Sequence, residues 1–489
     1  MPELAIAAAS TAQAYFSGSL ITAGITTTTL TASLAIDFAV RATLGYALNA
    51  LTTKPTSNVS RGYQNVNQLG TALPHQVVYG ETVVGGAVFY QTLSTTSVTD
   101  DTLHRCIAFA AHEIDSYQAV YLNGEELTYN STTGEVTAPS EYAGNVLIKE
   151  HLGEDTQVAD SDLVSDVGEW TVDHKAQGIA YLYVRFTGAS NFDSGIPVIT
   201  SKIRGKKVFD SRTSSSAWDD NPALCIRDYI TSDIGLQEES SSINEALFEA
   251  AADVCEEDVS GKNRYTCNGS FSVDASPEDI IRSLLSSMGG TFWNYAGQWA
   301  VLAAEYQTPT LTLTEDDLRG PISVATKHSR RDNFNCVRGQ YKGSETEYQP
   351  DDYTPVKSTL YISEDNGIEA STELNLLFTD TSSMAQRISR TFLRRNRYQQ
   401  TVAGAFGLSA LKLRVGDNVM LTFDNLFWNA KVFEVVDWRL GISENDIQVN
   451  MILREMDESV YTGISGPLLD ESGNVLLDES SNDLEAIVA

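Results

Sequence analysis

His112-Glu113-Ile114-Asp115-Ser116 carries the first two residues of a zinc-protease motif and lacks the last. That chemistry needs two imidazoles four residues apart on one helical face, with the intervening glutamate activating water. Ser116 stands where the second histidine is required, and the segment itself reads as strand rather than helix. The other histidines, His75, His104, His151, His174 and His328, are scattered singly and read as structural or solvated. Glu315-Asp316-Asp317 offers paired carboxylates for acid–base work or for calcium. Thr314 ahead of it is a ready cap, and acids favour a helix N-terminus, so the cluster reads as a solvated first turn. Asp470–Asn474 matches half of a calcium loop, without the glycine at the sixth place or the closing glutamate. No G-x-G-x-x-G, phosphate-loop lysine or G-x-S-x-G is present. The expectation is a chain without catalytic, cofactor-binding or metal-binding residues.

Two further groups could bind rather than react. Arg394-Arg395-Asn396-Arg397 is a local positive patch. It either meets an acidic neighbouring subunit or forms the last turn of a helix, where cations complement the dipole. Trp293, Tyr295 and Trp299 would make a carbohydrate platform if they shared a face; their alternation on a hairpin favours core or interface packing.

The elements that must position these groups are mostly short strands. Arg105–Leu127 reads as a strand, a bend and a second strand with Asn123-Gly124 as a hairpin turn, and Gly178–Phe186 is a buried strand. Helices take over with Asn221-Pro222 and Ser276-Pro277, each a cap followed by a first-turn proline, and Ile280, Ile281, Leu284 and Leu285 face a core. Thr291–Glu305 is a hairpin turning at Ala296-Gly297. The stretch Thr381–Gln400 holds one long helix, with Met384, Ile388, Phe392 and Leu393 on one side and Arg387, Arg390, Arg394 and Arg395 around it. Period-2 strands with Gly-Asp and Asn turns from Thr401 to Asp457 read as a β-barrel. The fold class is mainly β with an α+β insert. It divides into a hydrophobic N-terminal helical segment (1–55), a first β domain (56–210), a small α+β domain (211–305), a second β domain (306–460) and an acidic tail with LLDES twice (461–489).

Composition excludes whole function classes. Among 489 residues, 33 Lys+Arg against 65 Asp+Glu give a net charge of −32. A phosphate backbone is not bound by counterion release from such a chain, although an acidic wall lets DNA slide past without sticking. The five cysteines, Cys106, Cys225, Cys255, Cys267 and Cys336, contain no CxxC pair. They fit free thiols of a protein folded in a reducing cytoplasm, with a Cys255–Cys267 bridge as the alternative. Leu4 to Ile36 holds no charge, long enough to span a bilayer yet rich in Thr, Ser and Ala. It is read as a buried helix or hairpin of an oligomer, with host membrane contact as the alternative. His75–Tyr90 is an apolar ribbon with one charge, Glu81. Gly85-Gly86 reads as its hairpin turn and Gly80 as a kink, its edge to be closed within a barrel or by a neighbouring subunit.

The ordered blocks "VVYGETVVGGAVFY", "AFAAHEIDSYQAVYLNGEEL", "GIPVITSKIRGKKVFDSRT", "WDDNPALCIRDYI", "SPEDIIRSLLSSMGGTFWNYAGQWAVLAAEY", "RRDNFNCVRGQY" and "LKLRVGDNVMLT…WNAKVFEVVDW" run from Leu73 to Glu455. The series resembles the tail-tip hub (host-specificity, tip-attachment or baseplate hub) proteins of long-tailed bacteriophages and gene transfer agents. The resemblance implies a homotrimer in which two barrel-like hub domains per subunit flank the small α+β domain and make a pseudo-sixfold ring. That ring would join the distal tail and tape-measure proteins to other tail-tip or fibre proteins, close the tube, and open for transient passage of phage DNA without specific binding. It implies residence in the virion after synthesis in the host cytoplasm. Longer family members carry a receptor-binding end after the hub; the chain ends at Ala489, so receptor binding is expected on another protein, docked by the LLDES tail. The competing readings are an adhesin that takes a cell-surface glycan through Trp293 and Trp299, and a cell-wall hydrolase, which needs paired carboxylates or a metal.

Overall fold

The computed structural model describes residues 67–69, 74–95, 101–188, 196–295, 297–327, 329, 332–344, 348–442 and 447–462. The uncharged stretch Leu4–Ile36, the helical spacing from Leu34 to Leu48, His328 and the LLDES repeat with Asp470–Asn474 lie outside these residues. The described chain is mainly β with few helices, and no described helix is long and apolar enough to cross a membrane.

The ribbon His75–Tyr90 does not fold back on itself. It is three strands in three different sheets. Gln76–Tyr79 pairs with Gly269–Ser272, Glu81–Gly85 with Ile199–Arg204, and Ala87–Thr95 with Asp101–Ala110, all antiparallel. The expected Gly85-Gly86 hairpin is therefore a corner between sheets. A tight two-residue hairpin turn needs a positive φ at one or both central residues, and neither glycine has one. Gly86 serves close packing instead: a Cβ there would stand 2.4 Å from Ile107 Cγ2. The kink at Gly80 is real, at φ +64°. All three partner strands belong to the same chain.

The strands Glu81–Gly85 and Ala87–Thr95 belong to the two sheets of a sandwich. One sheet runs Gln68–Leu69, Ala87–Thr95, Asp101–Ala110, Ala180–Thr187, Val146–His151; the other runs Glu81–Gly85, Ile199–Arg204, Ser116–Leu122, Glu125–Glu126. Val88, Ile107, Phe109, Leu182 and Val184 from the first meet Val84, Val120, Leu122, Ile199 and Ile203 from the second. On the outer face of the first sheet, Leu163, Val167 and Trp170 cover Cys106, Tyr181 and Tyr183. Burial on both faces explains why "AYLYV" is a continuous apolar run rather than an alternating one. Asn123 and Gly124, both at positive φ, make the hairpin turn out of Ser116–Leu122.

The largest core gathers the helices Pro222–Thr231, Glu245–Glu256, Pro277–Ser286 and Ser382–Arg397. Asn221 and Ser276 cap as their side-chain oxygens predict, accepting from the backbone N–H of Ala223 and Asp279. Ile280 and Leu284 are buried, with Ile281 and Leu285 packed partly against the same core. Val77 and Tyr79 of the opening ribbon enter this core too, as do Phe334, Val337 and Phe378.

A six-stranded sheet follows, in the order Leu311–Thr314, Asn418–Phe423, Trp428–Ile442, Ile447–Glu455, Thr401–Phe406, Ser323–Ala325. Its first pair is parallel and the rest antiparallel. Leu313, Val402, Phe406, Val419, Leu421, Phe433, Val435, Val449, Met451 and Leu453 line one face as its core. The two outermost strands do not pair with each other in the described register.

Candidate functional site

Each constellation with chemical potential can be followed to its place. His112-Glu113-Ile114-Asp115 is the corner between strands Asp101–Ala110 and Ser116–Leu122, neither helix nor strand. The ring of His112 is buried. Its Nε2 accepts from the Val78 N–H at 3.0 Å, and Nδ1 donates to the Glu113 carbonyl at 2.7 Å. Glu113 pairs with Lys207 at 2.7 Å. The histidine thus ties this corner to the opening ribbon. Burial pushes its pKa down to about 4, so it is neutral at pH 7.

That assignment predicts a pH dependence. The folded pKa lies below the unfolded value, so the stability His112 contributes is complete above about pH 6.5. It falls as pH drops toward 4, by about 3 kcal/mol in all. Asp220 acts oppositely: burial first, then the charge of Asp380, pushes it up to about 6. Its contribution is present below the ordinary carboxylate range and is lost as pH rises through 6. Comparing His112→Asn with the parent chain cancels the Asp220 part. The expected result of urea unfolding at pH 7, 5.5 and 4 is a variant penalty that shrinks as pH falls; a constant penalty refutes the neutral buried imidazole.

The other described histidines serve separate contacts. His104 lies between Ser94 Oγ and Tyr183 Oη, each at 2.8 Å. This line looks like part of a hydrolase triad, but burial lowers the His104 pKa and raises that of the Tyr183 phenol. Tyr183 therefore supplies no anion to hold the imidazole charged, and the line is a cross-strand brace. His151 bonds Asp160 at 2.9 Å and stacks on Tyr181; His174 stacks on Trp170. All five cysteines are buried free thiols. Among the described residues no group of three or more His, Cys, Asp or Glu is arranged to hold a metal ion.

Glu315–Asp317 forms a three-residue 3-10 turn with Thr314 at its N-cap position; the helix start expected here goes no further, and it is the Asp317 carboxylate that closes the turn. Asp317 accepts from the Thr314 N–H at 2.9 Å and from Ser409 Oγ at 2.7 Å, and Glu315 accepts from Asn425 at 3.0 Å. Burial works to raise the Asp317 carboxyl, but these bonds outweigh it and hold the pKa below the usual range.

The arginines of the helix Ser382–Arg397 point into the protein. Arg387 and Arg390 are buried, and Arg387 donates to the Arg264 carbonyl at 2.6 Å. Arg395 grips both oxygens of Glu434 at 2.6 and 2.5 Å, and Arg397 pairs with Asp365 at 2.6 Å over the Tyr361 ring. Arg394 donates to the carbonyls of Ser459 and Thr462. The positive patch is thus paired within its own chain. Arg454, buried beside Arg395, donates to that residue's carbonyl at 2.6 Å. Burial first, then the Arg395 charge, pushes the Arg454 pKa down to about 10.

The aromatic hairpin does not make a platform. Trp293 lies opposite Ala300 and Asn294 opposite Trp299, so the two tryptophans occupy opposite faces. Trp299 stacks on Phe292 at 5.0 Å; Tyr295 meets Trp438 edge-on.

One junction was not anticipated from sequence, although its signal was present: Glu81 is the single charge of an apolar ribbon, and such a charge needs partners. Lys202 and Arg204 supply them at 2.5 and 3.0 Å. Asn268 Oδ1 accepts from the Glu81 N–H at 2.7 Å, and Lys202 sits over the Tyr348 ring. Burial works to raise the Glu81 carboxyl; the two cations overcome it and hold the pKa below the usual range. The cluster joins residues from Glu81 to Tyr348, clamping the sandwich to the segments that follow it.

Comparison with known proteins bears on residues 276–438, which match the family model Phage-tail_3, described as "Putative phage tail protein". The chain is similar in structure to a chain in the virion of a native gene transfer agent particle. The identity is 17%, the TM-score 0.58, and the match covers 89% of this chain and 98% of that one. Weaker likenesses reach the tail protein from Neisseria meningitidis MC58 (12% identity, TM-score 0.31, covering 78% and 99%). They also reach the 43 kDa tail protein of prophage MuSo2 from Shewanella oneidensis (8%, TM-score 0.32, covering 79% and 99%). Neither of the weaker two supports an argument. No curated protein matches the chain.

Proposed function

We propose, starting from the structural phage tail protein that the family match and the shared fold support, that the chain is a homotrimeric tail-tip hub. In this reading the hub closes the sixfold tail tube, joins distal tail and tape-measure proteins to the tip, and opens for DNA ejection. Two hub domains, 56–210 and 306–460, flank the α+β domain 211–305. The observation that carries the reading is the likeness to the gene-transfer-agent virion chain over 98% of that chain's length. The ordered sequence blocks from Leu73 to Glu455 support the same role.

The role is structural rather than catalytic, because the groups with chemical potential are engaged in packing. His112 braces a corner, Asp317 caps a turn, and Arg395 and Arg397 neutralise acids of their own chain. A net charge of −32 suits a conduit wall that DNA crosses without sticking. The glycan-binding alternative loses its platform with Trp293 and Trp299 on opposite faces.

The test is assembly. Light scattering of the purified chain is expected to give three times the 53.3 kDa subunit mass, and a heavier particle once its distal tail protein is added. Micrographs of the mixture are expected to show threefold-closed rings. A chain that stays monomeric in both conditions overturns the proposal.

A further inference from the structure

The longest strand pair, Trp428–Ile442 with Ile447–Glu455, outruns its sheet. Its flanking strands stop at the pairs Asn418↔Glu434 and Phe406↔Val449, so the distal part is a two-stranded ribbon among the described residues. Register places Trp438, Leu440 and Ile442 opposite Met451, Val449 and Ile447, all on one face. Met451 and Val449 belong to the sheet core, and the same apolar face continues outward uncovered by any described residue. Ile442 is 74% exposed, and Leu440 and Ile447 are each 45% exposed. The opposite face carries Arg439, Gln448 and Asn450, with Arg439 held by Asp437 at 3.0 Å. At the base of the apolar face the helical turn Leu408–Lys412 packs on the ribbon, and Trp438 Nε1 donates to the Ala410 carbonyl at 3.3 Å. That turn exposes Leu408 and Leu411, followed by exposed Lys412 and Arg414. An uncovered apolar face beside two exposed cations is unusual on a chain this acidic.

One segment of the chain has the complementary chemistry. Residues 463–489 contain no Lys or Arg and repeat Leu-Leu-Asp-Glu-Ser at 468–472 and 476–480. We propose that the ribbon face is the docking site of this repeat from the same chain, the leucine pairs covering Leu440, Ile442 and Ile447 and the acids facing Lys412 and Arg414. The reach is sufficient. Thr462, whose carbonyl accepts from Arg394, precedes the segment. The distance along the strand from Glu455 to Ile447 is about 27 Å, and an extended chain from Thr462 reaches about 20 Å by Leu468 and about 46 Å by Leu476. Docking explains why the repeat pairs apolar with acidic residues twice at a fixed spacing.

Two measurements on the full chain decide it. Replacing Leu468, Leu469, Leu476 and Leu477 together with serine is expected to speed hydrogen exchange across residues 438–449 at least tenfold. Exchange in the sandwich strand Ala180–Thr187 is expected to stay unchanged. K412E/R414E is expected to move the same ribbon peptides in the same direction. In the second measurement, Ile442→Cys/Leu477→Cys is oxidised and run without reductant. A crosslink within one chain is the expected product. A linked dimer assigns the face to a second copy and overturns the proposal, as does unchanged ribbon exchange in the serine variant. Neither readout requires ring assembly, so either can fail while the hub reading stands.

Discussion

Replacing Gly80 with alanine is expected to cost about 3 kcal/mol or more and to free the strand Gln76–Tyr79 from Gly269–Ser272. Two penalties combine. Gly80 sits at φ +64°, where an L side chain loses roughly 1–2 kcal/mol. A Cβ there would lie 2.1 Å from the Cys267 carbonyl oxygen and 2.2 Å from Asn268 Oδ1, and the first is backbone that cannot swing aside. Overpacking of that kind adds about 1–3 kcal/mol. The consequence is specific because Gly80 separates two pairings: Tyr79 lies against Gly269, and Glu81 against Arg204. Gly124 is the control. It also has a positive φ, +88°, but a Cβ there meets nothing within 4 Å. Gly124→Ala should therefore cost only the conformational part. Hydrogen exchange of the Gln76–Tyr79 amides in the two variants measures the difference, and equal effects would refute the close-contact argument.

Removing the charge of Glu434 is expected to destabilise the chain more than removing that of Arg395, by about 3–5 kcal/mol for Glu434→Gln. Among the described residues Glu434 is the acid bonded to Arg395, and its charge also offsets that of Arg454. Without it, the repulsion between the buried Arg454 charge and the partly buried Arg395 charge is left uncompensated. Arg395→Met leaves Glu434 with Arg454 nearby, so part of the compensation survives. Burial works against the Arg395 charge and Glu434 outweighs it, keeping the guanidinium above its ordinary pKa. Arg395→Met/Glu434→Met removes both members and should cost less than the sum of the single changes. Urea unfolding of the three variants gives the ordering. An Arg395→Met penalty larger than that of Glu434→Gln would mean that Arg454 does not depend on this carboxylate.

The Arg395 site lies where the sequence was least legible. The helix Ser382–Arg397 was legible as a helix with its apolar side. The direction of its arginines was not, because their acids, Glu434 and Asp365, are separated from them by 39 and 32 residues. One signal was available: cations are outnumbered 33 to 65, so each finds carboxylates in excess. The tryptophans were more legible. Their alternation on a hairpin favoured packing over a platform, and Asn294 opposite Trp299 puts them on opposite faces.

The sequence by itself determined the local structure: the capped starts at Asn221 and Ser276, the Asn123-Gly124 turn, and the doubly buried strand Ala180–Thr187. Each depends on hydrogen bonds or backbone angles within a few residues, or on an apolar run long enough to name its own burial. Only the tertiary structure decided what those elements meet. The ribbon His75–Tyr90 was legible as strand, yet its three pieces go to three partners, in the pairs Tyr79↔Gly269, Glu81↔Arg204 and Ala87↔Ala108. No turn between Gln76 and Tyr90 sets those pairings. A strand's two edges are chemically alike, so composition marks a segment as pairing without marking its partner. Shape complementarity settles that choice: Gly80 lets the chain pass under the Cys267 carbonyl, and Gly86 lets it cross over Ile107.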